Sequence, residues 1–135
     1  MNTAGYSGTP LSRKLGIKAG QKVWYSGAPD GYQREISKVG RLEVARKLGK
    51  GQDFIHFFAS RRAALNREIQ RLRDSMKPDA ILWISWPKKS SGVVTDLDEN
   101  VVREVGLAAG LVDVKVCAVD DVWSGLKFVV RLRDR

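Results

Sequence analysis

The chain has 135 residues, 43% hydrophobic and 29% charged, with 24 Lys and Arg against 15 Asp and Glu and a formal net charge of +9. That length suits one domain with a core of its own, and the composition excludes wholesale disorder. The lone Cys117 excludes an intramolecular disulfide, and no apolar run reaches the roughly 20 residues of a bilayer-spanning helix.

These bounds predict a single domain over 1–135, which the order of elements taken up below makes α/β, with a loose N-terminal arm over 1–9. The cytoplasm is the expected setting, because the start of the chain lacks the charged-then-apolar pattern of a signal peptide. The charge is uneven. Residues 1–95 carry 18 Lys and Arg against 7 Asp and Glu, whereas residues 96–135 carry 6 against 8. Such asymmetry points to an anionic small molecule or an acidic protein as partner.

In chain order, Thr9-Pro10 reads as a helix start, with Thr9 as N-cap and Pro10 at the first helical position. The short helix Leu11 to Leu15 would stop at Gly16 in a left-handed C-cap. Gln21 to Ser26 is the first strand, with Val23, Trp24 and Tyr25 favouring extended backbone. It runs into Gly27-Ala28-Pro29-Asp30-Gly31. A glycine-containing turn there is where dinucleotide folds cradle a phosphate, but no G-x-G-x-x-G is present and Pro29 lacks an amide donor. The spacing over Tyr32 to Gly51 predicts helix broken near Gly40, although Leu42-Glu43-Val44 also alternates like a strand.

Asp53 to Ala59 is nearly continuously apolar and predicts a strand covered on both faces. His56 would share a face with Phe54 and Phe58 as a neutral core histidine, and with no second histidine a zinc site is excluded. Ala59-Ser60 stands where ribose recognition would want an acid. Ser60 is the expected cap of a helix over Arg61 to Met76, whose Leu65, Ile69, Leu72 and Met76 form an apolar stripe. Arg61, Arg62, Arg67, Arg71 and Arg73 are expected on the opposite surface, a candidate nucleic-acid face.

Ala80 to Trp86 is the strand around which the chain is organised. It ends in Pro87-Lys88-Lys89-Ser90-Ser91-Gly92, a cationic loop with hydroxyls and open amides suited to a phosphate or carboxylate. Asp96 with Glu99, or Thr95 with Asp98, forms a capping box for a helix over Leu97 to Ala109 that stops at Gly110. Leu111 to Val119 and Leu126 to Leu132 both alternate and form an antiparallel hairpin. In the first of these, Val112, Val114, Val116 and Ala118 would share one face, opposite Asp113 and Lys115. Asp120, Asp121, Trp123 and Ser124 would crown the hairpin, the acids chiefly as turn formers.

This order of strands and helices with a terminal hairpin is that of a trimmed three-layer Rossmann-like sheet, mostly parallel. It resembles the S-adenosylmethionine-dependent methyltransferase architecture. Ser85-Trp86-Pro87-Lys88 lies where that architecture often carries an Asn/Asp-Pro-Pro-aromatic motif, but the polar residue and second proline are missing, as is an acidic, glycine-rich first motif. Tyr6-Ser7-Gly8-Thr9-Pro10, Lys14-Leu15-Gly16-Ile17, Trp86-Pro87-Lys88-Lys89, Thr95-Asp96-Leu97, and Leu111-Val112-Asp113 through Val116-Cys117-Ala118-Val119-Asp120 with Trp123-Ser124-Gly125-Leu126 resemble a small bacterial family known only as a domain of unknown function. That resemblance implies one cytoplasmic domain and no particular activity.

The sequence therefore predicts a non-catalytic Rossmann-like binding or regulatory domain. Its anion site would gather Trp86, Lys88, Lys89, Ser90 and Ser91 with Gly27, Asp30, Asp120, Asp121, Trp123 and Ser124, and no residue is assigned a catalytic or metal-binding role. The alternatives are a diverged methyltransferase-like enzyme and nucleic-acid binding through the arginines.

Overall fold

The computed structural model describes residues 9–135. Within them lie strands β1 (Lys22–Ser26), β2 (Glu43–Val44), β3 (Gln52–Phe58), β4 (Met76–Pro87), β5 (Leu111–Ala118) and β6 (Trp123–Val130). The helices are α1 (Leu11–Leu15), α2 (Tyr32–Ile36), α3 (Arg62–Ser75) and α4 (Glu99–Ala108), with single turns of 3₁₀ helix at Ser37–Val39, Lys89–Ser91 and Leu132–Asp134. One sheet runs in the order β2-β1-β3-β4-β6-β5. β1 pairs in parallel with β2 and β3, and β3 with β4; β6 is antiparallel to both β4 and β5. This is the expected Rossmann-like sheet closed by an antiparallel hairpin.

The apolar run of β4 is an inner strand, between β3 and β6, and it feeds both layers of the core because successive side chains alternate across the sheet. Ala80, Leu82, Ile84 and Trp86 pack under Leu65 and Leu72 of α3 and Val102 and Val105 of α4. Trp83 points the other way, among Leu11 and Leu15 of α1, Tyr32 and Ile36 of α2, and Phe54 and Phe58 of β3. Its indole Nε1–H donates to the Leu15 carbonyl at 2.8 Å, so burying the ring leaves no orphan donor. Each such fully buried large side chain stabilises the fold by about 1.5–3 kcal/mol.

Several boundaries differ from the sequence reading, each for a local reason. Pro10 is the N-cap of α1 rather than its first residue, whereas Gly16 does close the helix at φ +79°. The stretch 32–51 is not a broken helix. α2 and its 3₁₀ extension end at Gly40, and Glu43–Val44 forms a two-residue edge strand beside β1. Leu48 lies outside any element yet packs on the core, as does Ala45. Met76 belongs to β4, not α3: the chain passes from helix to strand without a loop. The apolar face expected of β5 is also reversed. A register shift between Asp113 and Lys115 exposes Val114 (56%) and Val116 (45%), while Leu111 and Cys117 are buried in different clusters. An extra residue in one strand of a ladder flips every side chain beyond it. Leu132, expected in the last strand, is exposed in a 3₁₀ turn.

The capping residues are also redistributed. α4 starts at Glu99 with Asp98 as N-cap, its Oδ1 accepting from the Val101 amide at 2.9 Å. Asp96, freed from that helix, accepts from the Arg62 amide of α3 at 2.7 Å. Thus α3 is capped from 34 residues away instead of by Ser60. Asp96→Ala is expected to lower stability by about 0.5–2 kcal/mol, the usual worth of a side-chain cap. Chemical denaturation checks this, with Ser60→Ala as the near-neutral comparison. Of the expected arm over 1–9, residues 1–8, Tyr6 among them, lie outside the described residues.

Candidate functional site

The parallel strands β1, β3 and β4 all point their carboxyl ends to one edge of the sheet. Because β6 is antiparallel to β4 with Trp123 opposite Pro87, the β5–β6 tip reaches the same edge. Gly27–Gly31, Lys88–Gly92 and Asp120–Gly125 therefore meet on one rim.

Contacts tie these bends together. The Lys88 amide donates to the Val122 carbonyl at 2.7 Å, which fixes the cationic loop to the hairpin tip. The Trp123 ring stands edge-on to Phe58 at 5.2 Å between centroids. Gly27, at φ +75°, passes so close to the end of β3 that a Cβ would lie 2.8 Å from the Phe58 carbonyl oxygen. Both the left-handed backbone and the close approach require glycine there. Further along, Thr95 donates from Oγ1 to the Ser60 carbonyl at 2.6 Å and accepts from the Leu97 amide at 3.0 Å, pinning the far end of the β4–α4 connection.

The predicted site residues divide into those the rim presents and those it uses structurally. Lys88 is half-buried; Lys89, Ser90, Gly27 and Asp30 are exposed; Ser124 is half-buried in β6. Asp30, Gly31, Arg34 and Glu35 line a cavity of about 220 Å³ beside the first bend. Ser91 serves its own turn: its Oγ donates to the Lys88 carbonyl at 2.6 Å and accepts from the Val93 amide at 3.2 Å. Asp120 is 8% exposed, and its Oδ1 accepts from the Val122 and Trp123 amides at 2.9 and 2.8 Å. That is a turn former, as the sequence suggested, while Asp121 beside it is exposed. Trp86 and Trp123 lie in different layers of the core. Trp86 is 6% exposed within the layer under α3 and α4, and Trp123 packs against the opposite layer.

The arginines of α3 do not share one solvent face. Arg61 precedes the helix, Arg62 reaches Glu104 of α4 at 3.9 Å, Arg71 pairs with Glu68 at 2.6 Å, and Arg73 is half-buried. Among the described residues no group of three His, Cys, Asp or Glu side chains could hold a metal ion, and no helix is long and apolar enough to cross a membrane.

Beneath the rim lies a polar network that sequence reasoning missed. His56 is fully buried, with Nδ1 2.7 Å from the Tyr32 hydroxyl and Nε2 2.7 Å from Ser85 Oγ. Its ring stacks on Phe58 at 4.0 Å. Burial drives the His56 pKa well below its ordinary value and raises that of Tyr32 well above its own, so both groups are neutral at pH 7. The sequence signalled a core histidine, but its partners lie 24 and 29 residues away. With Ser85 0% exposed, the network supports the rim rather than meeting a ligand.

No family model and no curated protein matches the chain. Solved structures do. A SAM-dependent methyltransferase from Aquifex aeolicus matches with a TM-score of 0.65 at 16% identity, over 89% of this chain and 88% of that one. A putative type 11 methyltransferase from Sulfolobus solfataricus gives 0.64 at 15% identity, over 89% of each chain. Magnesium protoporphyrin IX methyltransferase from Synechocystis PCC 6803, with bound SAM, gives 0.65 at 11% identity, over 89% of this chain and 74% of that one. Resemblance to the small bacterial family rests on its sequence motifs alone. At such identities the likeness carries the architecture, and the chain has the Rossmann-like fold of SAM-dependent methyltransferases.

Proposed function

We propose that this chain is a diverged S-adenosylmethionine-dependent methyltransferase whose ligands sit on the carboxyl rim between Asp30 and Lys88. The observation that supports this most is the extent of the likeness. Nearly the whole of this chain and of an enzyme of that class superpose, 89% and 88% respectively at a TM-score of 0.65. Open α/β sheets take their ligands at this edge.

The residues present fit such a ligand at Asp30, whose exposed carboxylate, in the bend between β1 and α2, can accept from hydroxyl or ammonium donors. When bound, S-adenosylmethionine supplies an electrophilic methyl group. Alignment of an acceptor is then the chief requirement, so the chain needs no exposed histidine to serve. Lys88 and Lys89 would draw an anionic acceptor to the rim, and Phe58 with Trp123 would keep water from its floor.

A second reading, non-catalytic binding of an anionic ligand, is favoured by one observation. β2, the neighbour of β1, has Glu43 at its start and Arg46 and Lys47 just past its end. Dinucleotide folds use an acid near such a strand end for the ribose hydroxyls, and a cation there for a phosphate.

Calorimetry separates the two. The first predicts heat with S-adenosylmethionine and S-adenosylhomocysteine, weakened roughly tenfold by Asp30→Asn through loss of a charge-assisted hydrogen bond. Silence toward both at millimolar concentration, with heat from acidic metabolites that Lys88→Ala/Lys89→Ala abolishes, would establish the second instead.

A further inference from the structure

On the α1 side of the sheet, below the hairpin tip, three lysines lie on one face. Lys115 of β5 stands directly opposite Lys127 of β6 in the antiparallel ladder. Directly opposed residues project from the same face, where like charges repel. Lys127 is in turn opposite Trp83, whose side chain lies in the layer covered by α1. It sits under the end of that helix: a Cβ built on Gly16 would lie 3.7 Å from Lys127 Nζ. Lys14 of α1 reaches the same strand, its Nζ donating to the carbonyl of Ala118, further along β5 from Lys115, at 3.3 Å. Burial and the neighbouring Lys115 both push the Lys127 pKa down.

Among the described residues none of the three lysines is in an ion pair. The first acid of the whole chain is Asp30, so the segment that supplies α1 brings only Arg13, Lys14, Lys18 and Lys22. Asp113, on β5 between the exposed valines and Leu111, is held by Arg103 of α4 at 2.9 Å. A cavity of about 250 Å³, lined by Ser12, Arg13, Gly16, Ile17, Lys18 and Val39, borders the same helix end and extends the basic surface. A cross-strand lysine pair with one member half-buried is unfavourable in the empty protein and becomes favourable once a multivalent anion bridges it.

We propose that Lys14, Lys115 and Lys127 form a second anion site, on the α1 face of the sheet below the rim, that binds a phosphate-bearing ligand. Phosphate suits the arrangement better than a single carboxylate, because it brings up to two charges and several acceptor oxygens to three point donors. The inference stands apart from methyl transfer and needs no S-adenosylmethionine for its test.

The experiment compares full-length wild type with Lys115→Gln/Lys127→Gln, Lys115→Arg/Lys127→Arg and Lys88→Ala/Lys89→Ala. Each is titrated with pyrophosphate and with a short single-stranded oligonucleotide at matched ionic strength, followed by calorimetry and thermal unfolding. Pyrophosphate should bind wild type and raise its Tm. The Gln pair should bind at least about tenfold more weakly, while the Arg pair and the rim variant retain binding. Without ligand the Gln pair should be at least as stable as wild type, since a repulsion is relieved. Tighter, steeply salt-dependent binding of the oligonucleotide would identify a nucleic-acid backbone as the phosphate source, and pyrophosphate binding alone a free phosphorylated molecule. Equal ligand response in wild type and the Gln pair, or a ligand-free Gln pair that unfolds earlier, would overturn the proposal.

Discussion

His56→Ala is expected to lower the free energy of unfolding by at least about 3 kcal/mol, since it opens a cavity and leaves two buried hydroxyls, on Tyr32 and Ser85, unpaired. Tyr32→Phe, which removes one bond and little volume, should lose about 1–2 kcal/mol. The same histidine sets a pH dependence. Its folded pKa lies well below the unfolded value near 6.5, so the unfolded chain binds the proton first. Stability is therefore complete above about pH 6.5 and falls on acidification, by up to about 1.4 kcal/mol per pH unit until the folded pKa is reached. Urea denaturation between pH 7.5 and 5, above the main carboxylate range, reads this directly. His56→Leu should flatten the profile there. An equally steep profile in His56→Leu would assign the acid sensitivity to another group.

Gly106→Ala is the second large effect, and its sign is the informative part. In the interior of a helix, alanine usually gains about 0.5–1 kcal/mol over glycine. Gly106 lies inside α4, but a Cβ there would overlap the ring of Phe128, which is fully buried on β6. Neither a central strand nor a packed helix can retreat without disturbing its other contacts, so overpacking should cost about 1–3 kcal/mol. Adding Phe128→Leu should recover part of the loss, a coupling that a double-mutant cycle measures. A stabilised Gly106→Ala protein would mean that α4 rides higher on the sheet than described.

What could be read from the sequence followed how local each signal was. The inner strand ending at Trp86 and the Leu65–Leu72 stripe depend on side-chain period and composition, and both stand in the structure. β2 was legible only as an alternative, because the short alternation of Leu42-Glu43-Val44 was outweighed by a helical reading of its surroundings. The β5 faces were inverted because a bulge beside Val114 leaves no mark in an alternating sequence. The start of α4 was misplaced because Asp96, a good cap by local rules, serves α3 instead.

The rim shows the same division. Turn chemistry identified Asp120 as a turn former, and strand ends brought Lys88 to the hairpin tip. The oppositely facing Trp86 and Trp123, the Gly27–Phe58 contact and the Tyr32–His56–Ser85 network all depend on which strands become neighbours, which only the fold decides. Lys115 was legible as a polar-face residue of β5, yet its opposition to Lys127 required the register.

The most direct test of the functional account is a titration of the ¹⁵N-labelled protein with S-adenosylhomocysteine, following every backbone amide. The account predicts saturable shifts concentrated at Gly27, Asp30 and Gly31, at Lys88 to Gly92, and at Val122 and Trp123. Unshifted amides on this rim at saturating ligand, or shifts confined to the opposite edge of the sheet, would contradict it.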